Sequence, residues 1–245
     1  MELCLIIPCY NEEQRLKTGE ILRFLESQPS SHVCLVNDGS SDGTLRVLEN
    51  VRTSRPAQVT VVNLPSNRGK AEAVRQGVLH AAGSARFGFI GFWDADLSTP
   101  FRELDALVGA LTAHPSCQLV MGSRVKRLGA HIERRVSRHV LGRVFSTFAS
   151  ALLGLPIYDS QCGAKLFRAE AVGMLFGEPF VTQWLFDLEI IARLRGRLGR
   201  DAALEAAIEV PLGEWIHVGG SKLRVSHMAK VPFELLRLRS HYRSR

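Results

Sequence analysis

The chain has 245 residues, of which 46% are hydrophobic and 22% charged, and this composition excludes extended disorder and suits one α/β domain with a sizeable core. The net charge of +7 is concentrated in residues 124–143 and 221–245, which each carry +6 and leave −5 for the remainder. Two basic segments on a slightly acidic body indicate anionic partners, such as phosphates, a membrane surface or nucleic acid.

Short apolar runs alternate with helix-like segments through the first half of the chain. The predicted strands cover residues 3–8, 32–37, 58–63 and 87–93, and the predicted helices cover 11–27, 41–51 and 69–82. In the first helix Ile21, Leu22 and Leu25 share one face, and Ser41–Asp42 can cap the second helix. This order predicts a parallel sheet that binds ligands at the carboxyl ends of its strands.

The second half of the chain has longer helical segments. After an apolar strand at 118–122, apolar residues at helical spacing predict a helix over 136–152 that carries several arginines. Residues 228–242 mix apolar side chains with arginines and predict a basic, partly amphipathic helix. For both helices, core packing with a solvated charged face is the alternative interpretation.

The cysteines and the apolar stretches place further limits on the protein. The five cysteines include no CxxC pair, and we interpret them as buried thiols in a reducing compartment, neither disulfides nor a zinc site. The longest uncharged stretch, Val144 to Tyr158, has 15 residues, whereas a spanning helix needs about 20. We therefore expect neither a transmembrane helix nor a secretory signal.

Polar segments follow each of the first four predicted strands. They read PCYNEE, NDGSSDGT, NRGK and DAD, and the predicted topology brings all four to one crevice. Asp94 and Asp96 of DAD are oxygen ligands of the kind that Mg²⁺ or Mn²⁺ binds together with substrate phosphates. Alternatively, Asp96 caps the helix that follows.

The other polar segments suggest contacts to a nucleotide. Asp38 can accept hydrogen bonds from a base or ribose, and Arg68 and Lys70 can reach phosphates, although an exposed loop is the alternative for those two residues. The chain contains neither GxGxxG nor GxxxxGK[ST], which disfavours an NAD site or a Walker-type site.

These motifs, taken as an ordered set, resemble the GT-A core of family 2 glycosyltransferases. In the first half of the chain, the resemblance rests on the motifs IPCYNEE, VNDGSSDGT, NRGKAEAVRQG, DADLSTP and MGSR. DSQCGAKLFRAEA, WLFDLEII and GGSKL resemble the dolichyl-phosphate β-glucosyltransferase branch of the polyprenyl-phosphate glycosyltransferases. The resemblance implies an α/β fold of GT-A type, with a Rossmann-like, mostly parallel sheet flanked by helices. It implies a catalytic domain over residues 1–225, followed by a basic amphipathic helix at 226–245.

The resemblance also implies roles for the matching residues. The nucleoside pocket would be lined by Pro8, Tyr10, Glu12 and Asp38. Asp94 and Asp96 would meet the metal and the diphosphate. The phosphates would be surrounded by Lys70, Arg124, Lys222 and an arginine among Arg134, Arg135 and Arg138. The sugar or acceptor would lie near Asp159, Gln161 and Asp187.

The implied reaction is inverting transfer of a hexose, with UDP-glucose as the expected donor, to a polyprenyl phosphate. A lipid phosphate is mostly dianionic at neutral pH and attacks without losing a proton, whereas a hydroxyl acceptor needs a general base such as Asp187 or Asp159. Charge developing on the leaving diphosphate would be neutralised by the divalent ion on Asp94 and Asp96, together with basic side chains. Both basic segments favour the phosphate acceptor.

Two departures from the family pattern stand out. The chain starts at its first strand, without the N-terminal anchor of the eukaryotic enzymes of this branch or the later transmembrane helices of other relatives. We therefore expect peripheral attachment to the cytoplasmic face of the membrane through the basic segments. Ser98 stands where some mannosyl relatives have Gln near the metal, so the number of metal ligands is left open.

Three other functions are alternatives to lipid glycosylation. The first is family 2 transfer to a soluble hydroxyl or a growing polysaccharide. The second is a nucleotidyltransferase with a related sheet, but the glycine- and arginine-rich N-terminal signature of such enzymes is not present. The third is a basic nucleic-acid-binding module. No known RNA- or DNA-binding motif appears, so we expect no nucleic-acid partner. The sequence does not predict the oligomeric state.

Overall fold

A computed structural model of the chain describes residues 2–133, 136–218 and 231–242, apart from the side chains of residues 136–139 and 232. Strands and helices alternate through the first half, as predicted. In chain order the elements are β1 Leu3–Cys9, α1 Thr18–Ser27, β2 Ser31–Asp38, α2 Thr44–Ser54, β3 Val59–Leu64, α3 Lys70–Gly83, β4 Phe89–Trp93, α4 Leu104–Ala113, β5 Leu119–Ser123, β6 His131–Ile132, α5 Val136–Leu153, β7 Ala164–Arg168, α6 Val172–Phe176, α7 Phe186–Leu198, α8 Arg200–Ala206, β8 Ala207–Pro211, β9 Glu214–Trp215 and α9 Val231–Tyr242.

The main sheet has seven strands in the order β3-β2-β1-β4-β7-β5-β8. Strand β1 runs parallel to both neighbours, with Leu3 opposite Ser31 on one side and Phe89 on the other. Strand β1 is apolar because it is covered on both faces, and Leu5 and Ile6 are fully buried. The predicted α/β class with a mostly parallel sheet flanked by helices is confirmed.

The residues group into two compact units. The first comprises Met1–Leu97 and Leu166–Pro179, and the second comprises Ser98–Lys165 and Phe180–Arg245. The predicted boundary between residues 225 and 226 lies outside the described residues and stays a prediction.

Helix α1 is shorter than the sequence predicts, because it begins at Thr18 and not at residue 11. Asn11 has a left-handed backbone with φ of 49°, which is incompatible with a helix start there. The preceding segment instead binds the loop after β2, where Glu12 N donates to Thr44 Oγ1 at 2.8 Å and Glu13 Oε2 accepts from Gly43 N at 3.0 Å. Tertiary hydrogen bonds therefore bind residues 11–13 to that loop, and only a short turn, with Leu16 N donating to Glu12 O at 2.9 Å, forms before α1.

The buried face of α1 also differs in one residue. Ile21 and Leu25 are buried as expected, but Phe24 completes the buried set, whereas Leu22 is only half-buried. The N-cap residue of α2 is Gly43, which makes no side-chain cap, but Asp42, one residue earlier, accepts from Thr44 N through Oδ1 at 3.0 Å, so the predicted cap is present in part.

Helix α9 packs against α7 within the second unit. Leu238 is fully buried, and Glu234 Oε2 accepts from the backbone N–H groups of Trp184 and Leu185 at 3.1 and 2.9 Å, where α7 begins. Tyr242 Oη donates to the buried Glu189 at 3.0 Å. Glu234, Leu238 and Tyr242 are spaced four residues apart, so one face of the predicted amphipathic helix is a packing face.

All five cysteines are buried free thiols, as predicted. Burial raises the pKa of Cys34 to about 12 and that of Cys162 to about 11. Within the described ranges, no helix combines the length and the apolar character needed to cross a bilayer.

Candidate active site

In the first unit, the loops that follow β1 and β2 bind each other at the carboxyl ends of these strands. Asn11 N donates to Ser40 Oγ at 3.0 Å, and Asn11 Oδ1 accepts from Ser41 N at 2.9 Å. These loops carry Tyr10, which is 37% exposed, and Glu12, which is buried. Pro8 is half-buried near the end of β1. Tyr10 and Glu12 of the predicted nucleoside pocket therefore lie on a loop that the loop after β2 holds in place, and Pro8 lies on the strand just before it.

Asp38 joins the end of β2 to the NRGK loop. Its two carboxylate oxygens accept from Arg68 N at 2.7 Å and from Gly69 N at 2.9 Å. Burial raises the pKa of Asp38, although these two N–H groups oppose the shift. In this structure Asp38 holds the NRGK loop, whose Arg68 and Lys70 are candidates to bind phosphates, in position. The sequence alone did not indicate this role.

Gly39 permits the close approach of these two loops. Its φ is +59°, and a Cβ built on it would lie 2.2 Å from the backbone carbon of Ser66. Only glycine adopts this left-handed backbone without strain and has no Cβ to clash with Ser66.

The DAD segment turns sharply after β4. Leu97 N donates to Asp94 O at 3.0 Å, and Leu97 itself adopts a left-handed backbone with φ of 51° although it is buried. The turn leaves Asp94 and Asp96 partly exposed, as a binding site requires. Lys70, at the start of α3, contacts Asp94 with 2.6 Å between Nζ and Oδ1. The structure thus brings together Lys70 and Asp94, which the sequence predicted for one site.

The donor chemistry of Asp94 and Asp96 fits a hard divalent cation. Mg²⁺ and Mn²⁺ prefer oxygen ligands and are held by one or two carboxylates when substrate phosphates supply the rest. In the parts of the chain that the structure describes, no cluster of three or more His, Cys, Asp or Glu side chains is arranged to hold a metal ion. The two aspartates therefore fit a cation that shares its coordination with a bound phosphate.

In the second unit, Arg124 and Asp159 form a bidentate ion pair. Arg124 Nε lies 2.6 Å from Asp159 Oδ2, Arg124 Nη2 lies 2.7 Å from Oδ1, and Arg124 N also donates to Oδ2. The two side chains are 13% and 6% exposed, so the pair is largely shielded from water. The guanidinium carbon also lies 5.4 Å from the centre of the Trp215 ring.

Asp187 forms a second buried ion pair in this unit, with a lysine that the sequence analysis did not single out. Lys165 Nζ is 2.5 Å from Asp187 Oδ1 and donates to the carbonyl oxygens of Ser160 at 2.8 Å and Cys162 at 2.7 Å. The Lys165 side chain is fully buried. The signal available in the sequence was a lysine inside the apolar strand AKLF, because such a lysine needs a buried partner.

Glu209 on β8 is another residue that the sequence analysis missed. Its carboxylate accepts from Tyr158 N at 2.7 Å and from Asp159 N at 3.2 Å, and so holds the start of the DSQCG segment. Burial raises the pKa of Glu209, while these backbone donors act in the opposite direction. A glutamate in a short strand gives no sequence signal for such a partner.

The remaining predicted site residues differ in whether the structure describes them. Lys222, Arg134 and Arg135 lie outside the described residues, and Arg138 belongs to α5 but its side chain is not among those described. Gln161 is half-buried in the DSQCG segment. Within the first unit, the loops after β1, β2, β3 and β4 are linked by the contacts above, and within the second unit Asp159 and Asp187 lie on segments that Lys165 and Glu209 hold.

Comparisons with known proteins give a consistent result. The sequence model of glycosyl transferase family 2 matches residues 4–176. A dolichyl-phosphate beta-glucosyltransferase of Trichomonas vaginalis is 34% identical over 251 residues, which cover 98% of this chain and 71% of that protein. The enzyme of the same name from Saccharomyces cerevisiae is 30% identical over 91% of this chain and 70% of its own length.

The fold also matches solved structures. Glucosyl-3-phosphoglycerate synthase from Mycobacterium tuberculosis superposes with a TM-score of 0.69 at 20% identity, over 97% of this chain and 78% of its own. That enzyme has been crystallised with Mn²⁺, UDP and glucosyl-3-phosphoglycerate. The likeness confirms the predicted GT-A fold.

Proposed function

The chain belongs to glycosyl transferase family 2, and from this premise we propose that it transfers glucose from UDP-glucose to a polyprenyl or dolichyl phosphate, with inversion at the sugar carbon. The names of its relatives support glucose and the lipid phosphate, since these relatives are dolichyl-phosphate beta-glucosyltransferases. The observation that carries the choice of acceptor is the ion pairing of both candidate bases.

Asp159 and Asp187 are the carboxylates that a hydroxyl acceptor would use as a general base. Asp159 is paired with Arg124, and Asp187 is paired with the fully buried Lys165. Each of these carboxylates already accepts hydrogen bonds from a largely buried cation, Asp159 through both oxygens and Asp187 through Oδ1, an arrangement that suits fixed binding more than proton transfer from a hydroxyl. A lipid phosphate needs no base, because it is mostly dianionic at neutral pH. The pairing therefore favours an anionic acceptor over a hydroxyl.

The loops of the first unit are proposed to bind the donor. Tyr10 and Glu12 would line the nucleoside pocket, and Asp38 supports it by holding the NRGK loop. Lys70 would bind the diphosphate. Asp94 and Asp96 would hold Mg²⁺ or Mn²⁺, and a bound divalent ion neutralises charge that develops on the leaving nucleoside diphosphate.

In the second unit, fixed side chains are proposed to receive the sugar and the acceptor phosphate. Asp159 and Trp215 hold the guanidinium of Arg124 in place, and it is proposed to contact the acceptor phosphate. Lys222 and Arg138 would add to it. Asp187, with one oxygen on Lys165, is proposed to contact the sugar through its other oxygen and not to move a proton.

The test of this function is a transfer assay with purified protein. Radiolabelled UDP-glucose, GDP-mannose and UDP-N-acetylglucosamine are supplied in parallel with a short polyprenyl phosphate and Mn²⁺ or Mg²⁺. We expect label from UDP-glucose in the organic phase, with the Asp96→Ala variant at least about 10²-fold slower because charge stabilisation is lost.

The matched control is Asp105→Ala, which removes an exposed aspartate from α4 and should leave transfer unchanged. Label that stays in the aqueous phase as a glycoside would move the acceptor to a soluble hydroxyl. Release of pyrophosphate from a nucleoside triphosphate and a sugar phosphate would identify a nucleotidyltransferase instead.

We further propose that the protein works as a peripheral protein on the cytoplasmic face of the membrane. Helix α5 exposes an apolar row at helical spacing, formed by Val140, Leu141, Val144 and Phe148 at 47–63% exposure. On α9, Phe233 and Leu236 are 70% and 65% exposed. Helix α5 begins in the basic segment 124–143 and α9 lies within the basic segment 221–245, so the proposed partner is an anionic lipid surface that accepts the apolar side chains.

Flotation with vesicles tests this attachment. Wild-type protein should float with vesicles that contain phosphatidylserine and float less as salt rises, because lipid charge contributes roughly 1 kcal/mol per nearby basic residue. The Phe148→Ser variant should float less at every salt concentration. Leu204→Ser removes an exposed leucine of α8 and is the matched control. Wild-type protein that stays with the soluble fraction at low salt would contradict the proposal.

A further inference from the structure

The contact between Lys70 and Asp94 occupies an oxygen that the proposed cation needs. Nζ of Lys70 lies 2.6 Å from Oδ1 of Asp94, and the two side chains are 41% and 35% exposed. Both residues are at the edges of loops, Lys70 at the first position of α3 and Asp94 just after β4. The two therefore meet without the strong desolvation that would make their pair permanent.

We propose that Lys70 is an exchangeable occupant of Asp94, which makes cation binding depend on the donor diphosphate. When the diphosphate arrives, Lys70 turns from Asp94 to a phosphate oxygen and leaves both carboxylates, Asp94 and Asp96, to the cation. Lysine suits this exchange because its ammonium is a compact charge on a long, flexible side chain with three rotatable donors. This inference rests on the proposed function, since it assumes a nucleoside-diphosphate donor.

The charges at the site explain why such an exchange has a direction. Without a donor, Lys70 neutralises part of the carboxylate charge that attracts a divalent cation. With a donor, the phosphates bring negative charge that both Lys70 and the cation can bind. The enzyme would then hold the cation weakly alone and tightly together with the nucleotide, so the two ligands bind with positive coupling.

Mn²⁺ binding, followed by electron paramagnetic resonance of the free ion, tests the proposal without any measurement of transfer. Without UDP, Lys70→Met should bind Mn²⁺ on the order of fivefold more tightly than wild type, because the competing charge is gone. With saturating UDP, the same variant should bind Mn²⁺ about as tightly as wild type, because in the wild type Lys70 has then left Asp94 as well, whereas its affinity for UDP should fall about tenfold with the loss of a charge-assisted bond. A gain in Mn²⁺ affinity that appears only without UDP is what an ordinary phosphate-binding lysine would not produce.

Lys17→Met is the matched control, since Lys17 also forms a partly exposed ion pair, with Glu20 at 3.5 Å, but at the start of α1. It should leave both Mn²⁺ affinities unchanged. If Lys70→Met binds Mn²⁺ no more tightly than wild type without UDP, the exchange is refuted while UDP-dependent Mn²⁺ binding by the wild type still supports the proposed donor site. If wild-type protein binds Mn²⁺ equally with and without UDP, both the exchange and the proposed donor site fail.

Discussion

Replacing Lys165 with methionine should destabilise the protein severely, because it leaves a buried carboxylate without its partner. The Asp187 side chain is 6% exposed, and its Oδ1 is 2.5 Å from Lys165 Nζ. Removing one member of a buried ion pair costs about 3–5 kcal/mol. The carbonyl oxygens of Ser160 and Cys162 lose the same donor, at about 1 kcal/mol each. Because these costs share one atom and do not add fully, we expect a loss of about 5 kcal/mol.

Equilibrium unfolding in urea, followed by tryptophan fluorescence, measures this loss. The double variant Lys165→Met/Asp187→Asn removes the unpaired charge as well and should lose only about 2–3 kcal/mol. Lys17→Met, which removes an exposed pair, should stay within about 0.5 kcal/mol of wild type. A free energy of unfolding for Lys165→Met within about 1 kcal/mol of wild type, or a double variant no more stable than the single one, would contradict a stabilising buried pair.

Two further changes test other parts of the site. Gly39→Ala should lower the free energy of unfolding by about 2–3 kcal/mol, because alanine is strained in the left-handed backbone and its Cβ would clash with the Ser66 backbone. The control is Gly109→Ala in α4, where a Cβ has open space and should stabilise the helix by about 0.5–1 kcal/mol. Urea unfolding measures both variants. Burial raises the folded-state pKa of Glu209, so the folded protein binds a proton at Glu209 more tightly than the unfolded chain does. The contribution of Glu209 to the free energy of unfolding therefore falls as pH rises from the ordinary glutamate pKa through the raised one. Glu209→Gln should remove this part of the pH dependence, and an unchanged slope would contradict the assigned burial.

Much of the first unit could be predicted from the sequence, because its signals are local. Strands β1 to β4 appear as apolar runs, and the polar segments at their ends meet because parallel strands present their carboxyl ends on one edge. The prediction of helix α1 was wrong at its start: residues 11–17 have helical composition, but Asn11, Glu12 and Glu13 bind the loop after β2, and only a short turn forms before Thr18. Propensity could not anticipate partners that lie about 30 residues away.

The second unit was harder to predict because its decisive contacts are long-range and polar. Lys165 and Asp187 are 22 residues apart, and Glu209 binds Tyr158 N from 51 residues away. No spacing rule connects such pairs. The family resemblance identified Asp159 and Asp187 as important, but only the structure revealed that each is held by a cation, and this fact decides how the acceptor is interpreted.

The attachment of α9 has a consequence for how the chain is synthesised. A ribosome that has completed residue 218 has made α7 but has not supplied Glu234, which accepts from the N–H groups at the start of that helix, or Tyr242, which binds the buried Glu189. Until α9 leaves the exit tunnel, the side of α7 that buries Leu238 is exposed to water. The second unit should therefore reach its final fold only after α9 has left the tunnel, and chains truncated before residue 231 should be cleaved by proteases near α7, whereas chains whose α9 has emerged are protected.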